Sequence, residues 1–216
     1  QNVVEAAIDC GVEKVLALST DKAVGPVNIY GGTKLCAEKL VVNGNLYSRK
    51  GETILSCARY GNVMGSRGSV VPLFLEQKKT GKITVTDRRM TRFWITLEQG
   101  VDFILDCLKT MNGGEVFVPK IPSIRIMDLV EAIAPGCEVE IIGVRPGEKI
   151  HELLISQDES RNAYDIGGMY VIPPSFHEEN KSIPGDAKPV PDDFSFRSDA
   201  NEDWLSVERL RELVEK

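Results

Sequence analysis

Val15-Leu16-Ala17-Leu18-Ser19-Thr20-Asp21-Lys22-Ala23, followed after a short loop by Tyr30-Gly31-Gly32-Thr33-Lys34, is the stretch whose reading decides the fold. The apolar run Val15 to Leu18 reads as a strand buried on both faces of a parallel sheet. It delivers a hydroxyl, a carboxylate and an ammonium at its end. In open α/β sheets ligands bind at the carboxyl ends of the strands, so these polar groups stand where a site is expected. Tyr30 and Lys34 open the next helix four residues apart and share one of its faces.

The residue types match one kind of chemistry. An ammonium beside a phenol favours the phenolate, and a phenolate can accept a proton from a hydroxyl while a nicotinamide takes hydride from the same carbon. A tyrosine four before a lysine is weak evidence alone; its position one loop beyond a buried strand gives it weight. Read in isolation, Asp21 and Lys22 are an ordinary solvated pair and Thr20 caps a turn.

Working outward, Asn2 to Cys10 reads as an amphipathic helix stopped by Gly11, Lys14 to Ser19 as the strand, Ile29 to Ser48 as a helix and Thr53 to Tyr60 as a second strand. This αβαβ rhythm predicts an α/β fold with a doubly wound sheet. Beyond Gly61 the pattern loosens. The expected elements are a helix over Val70 to Lys79, strands at Ile83 to Thr86 and Phe93 to Thr96, a helix over Leu97 to Met111, a strand at Glu115 to Pro119, a helix over Ile126 to Ile133 and a strand at Glu138 to Ile142. The Pro- and Asp-rich stretch from Ile183 to Asp193 reads as a linker or surface loop. Ser206 is a candidate cap for a last helix to Glu215.

Composition narrows the classes. A chain of 216 residues is long enough to bury a real core. Its net charge of −6 and pI near 5.1 argue against nucleic acid as the main partner. No apolar run reaches the ~18 residues of a membrane span, so no membrane partner is expected. Five scattered cysteines, Cys10, Cys36, Cys57, Cys107 and Cys137, do not form a disulfide framework. Reduced thiols in core positions, and hence a cytoplasmic location, are the expectation. Neither His151 nor His177 has ligand spacing to a cysteine, so no metal is expected. A glycine-rich turn after a first strand, where a dinucleotide pyrophosphate would sit, is absent. Gly61, Gly65 and Gly68 imitate one, but Val63 stands where a glycine would be needed.

Longer words carry a resemblance. Ser19-Thr20-Asp21-Lys22-Ala23, Tyr30-Gly31-Gly32-Thr33-Lys34, Arg59-Tyr60-Gly61-Asn62-Val63-Met64-Gly65-Ser66-Arg67-Gly68-Ser69-Val70-Val71-Pro72, Arg89-Met90-Thr91-Arg92-Phe93-Trp94-Ile95-Thr96 and Arg145-Pro146-Gly147-Glu148-Lys149 occur in this order. In them the chain resembles the extended short-chain dehydrogenase/reductase superfamily, and within it the inverting UDP-N-acetylglucosamine 4,6-dehydratases that begin pseudaminic acid synthesis. The resemblance implies the C-terminal part of a doubly wound Rossmann-like parallel sheet plus a smaller α+β substrate-binding region. It implies the second half of the dinucleotide-binding domain over residues 1–68, a mainly substrate-binding region over 69–160 and a C-terminal extension over 161–216. The upstream cofactor fingerprint is then missing, and the chain by itself is expected to bind NADP poorly and to be inactive.

By the same resemblance, Tyr30 is the base at the sugar C4 hydroxyl, Lys34 holds the ribose and the phenolate, and Thr20 hydrogen-bonds that hydroxyl. Asp21 is the acid for the departing C6 hydroxyl, and Lys22, desolvated and partly neutral, is the base at C5. Ser19, Tyr30, Lys34, Val63 and Arg67 are implied at the cofactor, NADP with NAD as the alternative. Asn62, Arg145 and Glu148 are implied at UDP-N-acetylglucosamine, and a homo-oligomer is implied for the full-length protein; from the residues themselves, Ser69 and Val70 open a helix whose N–H groups suit a phosphate of that substrate, and Arg88, Arg89 and Arg92 form a basic cluster that suits its diphosphate. Phe93 and Trp94 read as core rather than base-stacking groups. Two other readings stay open. One is a retaining 4,6-dehydratase or a 4-epimerase; many membrane-anchored retaining relatives carry methionine where Tyr30 stands, and simple epimerases lack the Asp-Lys pair after Thr20. The other is a non-catalytic module that holds a nucleotide sugar without turnover.

Overall fold

The structure, a computed structural model, describes residues 1–48, 52–66, 68–175, 183 and 185–215. In chain order the elements are α1 (Asn2–Asp9), β1 (Lys14–Thr20), a 3-10 turn (Asp21–Ala23), α2 (Ile29–Gly44), β2 (Ile54–Tyr60), β3 (Asn62–Val63), α3 (Val70–Lys78), β4 (Lys82–Val85), β5 (Thr91–Ile95), α4 (Leu97–Thr110) and β6 (Val116–Pro119). There follow β7 (Ser123–Arg125), α5 (Ile126–Ile133), β8 (Glu138–Ile141), β9 (Leu153–Ile155), α6 (Gln157–Ser160), β10 (Tyr164–Asp165), β11 (Met169–Ile172), β12 (Lys188–Pro189), β13 (Phe196–Arg197) and α7 (Val207–Val214). The chain divides into two compact units. The first holds Gln1–Tyr60, Glu98–Lys120 and Leu153–Phe196, and the second Gly61–Leu97, Ile121–Glu152 and Arg197–Lys216.

The first unit is built on a sheet of order β1-β2-β6-β11-β10-β12. β1, β2 and β6 are parallel, and β11, β10 and β12 continue antiparallel. Successive side chains of a strand point to opposite faces, and the packing follows that alternation. Cys57 and Val116 meet Val42 of α2 on one face. Their neighbours Ala58 and Phe117 meet Phe103, Cys107 and Met111 of α4 on the other. Helices therefore cover both faces, which is why β2 is buried almost throughout.

Differences from the sequence reading have local causes. α2 ends at Gly44 and not Ser48, because the Asn45 amide turns back to donate to the Val42 carbonyl at 2.7 Å and to exchange bonds of 2.8 and 3.0 Å with the Leu55 backbone. Inside the stretch read as a linker, Lys188–Pro189 pairs with Tyr164–Asp165 as the sheet's outer strand, an edge position where proline is tolerated. All five thiols are free, but only Cys57 and Cys107 are buried while Cys10 and Cys36 are exposed. Burial pushes the Cys57 thiol up to about 12.

The second unit carries two smaller sheets, β3-β5-β7 and the parallel pair β4-β8. Val71 and Phe74 of α3, Ile83 and Val85 of β4, Trp94 of β5, Leu129 and Ile133 of α5 and Leu210 of α7 share its core. Phe93 and Trp94 are both buried, as read from the sequence.

One buried ionic cluster ties the first unit together. Arg59, 1 % exposed, faces Glu38 of α2 through Nε and Nη2 and faces Glu159 of α6 through Nη1 and Nη2; Nη1 also donates to the Leu154 carbonyl at 2.8 Å. Ser19 Oγ donates to Glu38 Oε2 at 2.6 Å. Burial alone would raise the Glu159 carboxyl, but the charge and hydrogen bonds of Arg59 outweigh it and hold it below its usual value. Removing one partner of a buried pair leaves the other charge uncompensated, so Arg59→Met should cost about 3–5 kcal/mol in thermal or urea denaturation. The double variant Arg59→Met, Glu38→Leu should recover most of that loss. Because the Glu159 value is depressed, its contribution is present above the ordinary carboxylate range and is lost as pH falls through the depressed value. Between pH 6 and 3 the melting temperature of Glu159→Gln should therefore fall less steeply than that of the parent.

Candidate active site

The first unit brings the strand-end residues and the start of α2 together. β1 and β2 are in parallel register, with Ser19 opposite Arg59 and Thr20 opposite Tyr60. Thr20 is the N-cap of the 3-10 turn, its Oγ1 3.4 Å from the Lys22 backbone nitrogen. It also donates to Asp21 Oδ1 at 2.7 Å, and Lys22 Nζ donates to the same oxygen at 2.8 Å. Hydroxyl, carboxylate and ammonium thus form one hydrogen-bonded group, as the turn-cap reading and the catalytic reading both require. Asp21 is fully buried, whereas the Lys22 side chain is 38 % exposed. Lys22 is therefore less enclosed than the desolvated lysine the resemblance implied, although its ammonium is held on Asp21.

α2 starts where it does because the Asn28 side chain accepts from the Gly31 nitrogen at 2.8 Å, a standard N-cap. Gly31 has no room for a side chain: a Cβ there would stand 2.5 Å from the Lys22 carbonyl oxygen and 2.9 Å from Pro26 Cβ. The first turn of α2 thus lies directly on the Lys22 backbone. Tyr30, the next residue, is 56 % exposed, and Lys34 Nζ lies 5.5 Å from its ring centroid. Tyr30 and Lys34 share a face as predicted, and Glu38, one turn further, occupies the same row. Ser19, implied at the cofactor, is buried with its hydroxyl given to Glu38.

The second unit holds the remaining implied residues. A Cβ on Gly61 would stand 2.5 Å from Phe93 Cβ, so only glycine lets β3 approach β5 with Asn62 opposite Trp94 and Val63 opposite Ile95. Asn62 Oδ1 and Ser69 Oγ are buried without a hydrogen-bond partner among the described residues. Ser69 is the N-cap of α3 and Val70 its first residue, so the unanswered Ser69 hydroxyl stands at a helix N-terminus, whose free N–H groups can receive an anion. Arg67 lies outside the described residues. Arg88 is exposed. Arg89 is paired with Asp87 at 2.7 Å, and its hydrogen bonds hold that carboxyl down at about 2. Arg92 is turned toward main-chain carbonyls, described below.

Arg145-Pro146-Gly147-Glu148 folds as a tight turn: the Glu148 nitrogen donates to the Arg145 carbonyl at 3.0 Å, and Gly147 has φ of 79°. Proline second and glycine third are what a type II turn demands. The turn leaves the Arg145 side chain exposed and sets Glu148 Oε2 3.4 Å from the Arg145 nitrogen.

Sequence reasoning missed Glu38, Arg59 and Glu159 as supports of this site, though Tyr30, Lys34 and Glu38 at four-residue intervals carried the signal. It also missed a polar chain in the second unit. There Thr91 Oγ1 meets His151 Nδ1 at 2.9 Å and Ser198 Oγ at 2.7 Å, and His151 Nε2 lies 3.9 Å from Asp199. Nothing in the spacing of those residues announces it.

Comparison with known proteins agrees with the motifs. The chain is 46% identical, over 99% of its length, to the UDP-N-acetylglucosamine 4,6-dehydratase (inverting) of Campylobacter jejuni subsp. jejuni, and it spans 67% of that protein. It is 40% identical over 99% of its length to the UDP-glucose 4-epimerase of Rickettsia felis and spans 64% of it. Among solved structures, Pen from Bacillus thuringiensis matches with a TM-score of 0.88 and 40% identity, covering 99% of this chain and 66% of that one. Among the described residues no helix is long and apolar enough to cross a membrane. With residues 1–174 matching its pattern, the chain belongs to the polysaccharide biosynthesis protein family.

Proposed function

We propose that the protein of which these residues are part dehydrates UDP-N-acetylglucosamine to a UDP-4-keto-6-deoxy-hexosamine with inversion at C5. The observation that carries the reading is the joining of two groups in one unit. The Thr20-Asp21-Lys22 hydrogen-bonded turn has its Lys22 backbone against Gly31, and Tyr30 with Lys34 opens α2 at the same point. Identity to the Campylobacter jejuni dehydratase over nearly the whole chain supports it. Tyr30 and Lys34 fit a nicotinamide cofactor, NADP in this reading, because an exposed phenol with an ammonium over its ring can meet a hydroxyl and a ribose together. When bound, that cofactor takes up hydride from C4 and returns it at C6.

The chain's own residues then have separate tasks. Tyr30 accepts the C4 hydroxyl proton while Lys34 supports the phenolate and Thr20 holds the same hydroxyl. Oxidation at C4 acidifies the C5 proton; Lys22 leaves one proton on Asp21, 2.8 Å away, and as the neutral amine takes the proton from C5. Asp21 gives its proton to the C6 hydroxyl, which departs as water. The Lys22 ammonium and the Asp21 carboxylate are in direct hydrogen-bond contact at 2.8 Å, close enough to pass a proton between base and acid. In the second unit Asn62, Ser69, Val70, Arg88, Arg145 and Glu148 are assigned to the nucleotide sugar, supported by the unanswered Asn62 Oδ1 and Ser69 Oγ. Val63 and Arg67 are assigned to the cofactor side.

Incubating the natural protein with NADP and UDP-N-acetylglucosamine and following the products by NMR tests the assignment. A 4-keto-6-deoxy product of L-arabino configuration is expected; a D-xylo product excludes inversion. The 40% identity to a UDP-glucose 4-epimerase favours a second reading, and interconversion of UDP-glucose and UDP-galactose without water loss would select it.

Two variants separate the steps. Tyr30→Phe removes the general base and should lower kcat by about 10²–10⁴-fold, with UDP affinity unchanged in calorimetry. Lys22→Met should abolish exchange of the C5 hydrogen with deuterated water and with it dehydration, while slow reduction of NADP by the sugar persists. Loss of both signals together would place Lys22 at C4 instead.

A further inference from the structure

Arg92, the second residue of β5, does not present its guanidinium to solvent. Nη1 donates to the Thr91 carbonyl at 2.7 Å and the Ile150 carbonyl at 2.9 Å, and Nη2 donates to the Lys149 carbonyl at 3.0 Å. Nε lies 3.8 Å from Glu152 Oε1, and Glu152 Oε2 lies 3.8 Å from Lys149 Nζ, so a buried carboxylate sits between two cations. The main chain adds a bond from the Thr91 nitrogen to the Ile150 carbonyl at 3.1 Å. Thr91 Oγ1 reaches His151, and Ser198 Oγ accepts from the Glu152 nitrogen at 2.8 Å. Residues 149–152 are thereby sewn to the start of β5, and they follow immediately on the Arg145–Glu148 turn.

An arginine that reads a diphosphate turns the edge of its fork to the phosphate oxygens, two parallel donors at a time. Arg92 spends both terminal nitrogens on carbonyls of two separate segments, the use to which a planar five-donor group is suited and a single ammonium is not. We infer that Arg92 is a positioning residue: with Glu152 it clamps residues 149–150 to β5 and so holds the Arg145–Glu148 turn in the conformation that meets the nucleotide, and it does not touch the diphosphate. The inference rests on the proposed function only in giving that turn a nucleotide to meet; the clamp itself rests on the bonds of Arg92, Thr91 and Glu152 alone.

The test compares two ligands and one ligand-free readout on the natural protein. UDP and uridine binding are measured by calorimetry for the parent, Arg92→Lys and Arg92→Gln, and amide hydrogen exchange is followed over residues 145–150. A clamp predicts that Arg92→Gln weakens UDP and uridine by the same factor, about tenfold, and speeds exchange across 145–150 by a similar factor. Arg92→Lys, which can answer one carbonyl, should fall between. If UDP alone weakens, uridine is unaffected and exchange is unchanged, Arg92 is a phosphate ligand and the inference is overturned. Should Arg92→Gln fail to fold, Glu152→Gln keeps the shape, slackens the clamp and is read in the same way. If the parent binds neither ligand, the nucleotide reading of the turn falls, while the exchange data still decide the clamp: faster exchange supports it and unchanged exchange sinks it.

Discussion

The bond between Arg59 and Glu38 is the constraint on which the first unit depends. Two adjacent parallel strands end with Ser19 opposite Arg59, and both side chains converge on one carboxylate carried by α2. Glu38 stands two turns beyond Tyr30 and one beyond Lys34 on the same helix row. Fixing Glu38 against the strand ends fixes the rotation and axial position of α2, and hence where Tyr30 and Lys34 emerge. A purely apolar contact at that position would tolerate a slide or a turn of the helix. A fork of hydrogen bonds to a guanidinium does not, because its geometry is bidentate and directional. The position carries a desolvation cost that a hydrophobic pair would avoid, and the return is register.

The polar turn at the end of β1 is set by the same logic on a smaller scale. Gly31 abuts the Lys22 carbonyl, so the turn and the helix start share a backbone surface with no side chain between them. Asp21 is enclosed beneath it and gathers the Thr20 hydroxyl and the Lys22 ammonium on a single oxygen. The carboxylate is enclosed, whereas the Lys22 side chain is partly exposed and Tyr30 is exposed.

Much of this was legible in the residues. β1, β2 and α4 announce themselves through long apolar patterns, and α5 falls over Ile126–Ile133 as read because Leu129, Val130 and Ile133 repeat at helical spacing. Strands of two to four residues such as β3, β7, β9 and β10 carry too few side chains for any period to show; tertiary pairing alone makes them strands. The Arg145–Glu148 turn was visible as a word, and its proline and glycine dictate its geometry. The use of Ser19 and Arg92 was not visible. A hydroxyl and a guanidinium look alike in sequence whether they face a ligand or a buried partner, and the partners here lie 19 and 58 residues away.

That ambiguity has a physical resolution, and Arg59, Arg89 and Arg92 illustrate it together. A buried guanidinium must have its donors answered from within the fold. Arg59 is answered by carboxylates, which fix elements rigidly and tie the arrangement to their ionisation. Arg92 is answered chiefly by carbonyls, which hold two backbone segments whatever the pH. Arg89, exposed, has only its neighbour Asp87 among the described residues, a surface pair that is screened by water and contributes little to holding anything in place. Counting basic residues around a motif therefore overstates how many can meet an anion. The arginines left for that role are those whose donors the fold has not already used, and in the second unit the exposed Arg88 and Arg145 meet that condition better than Arg92 does.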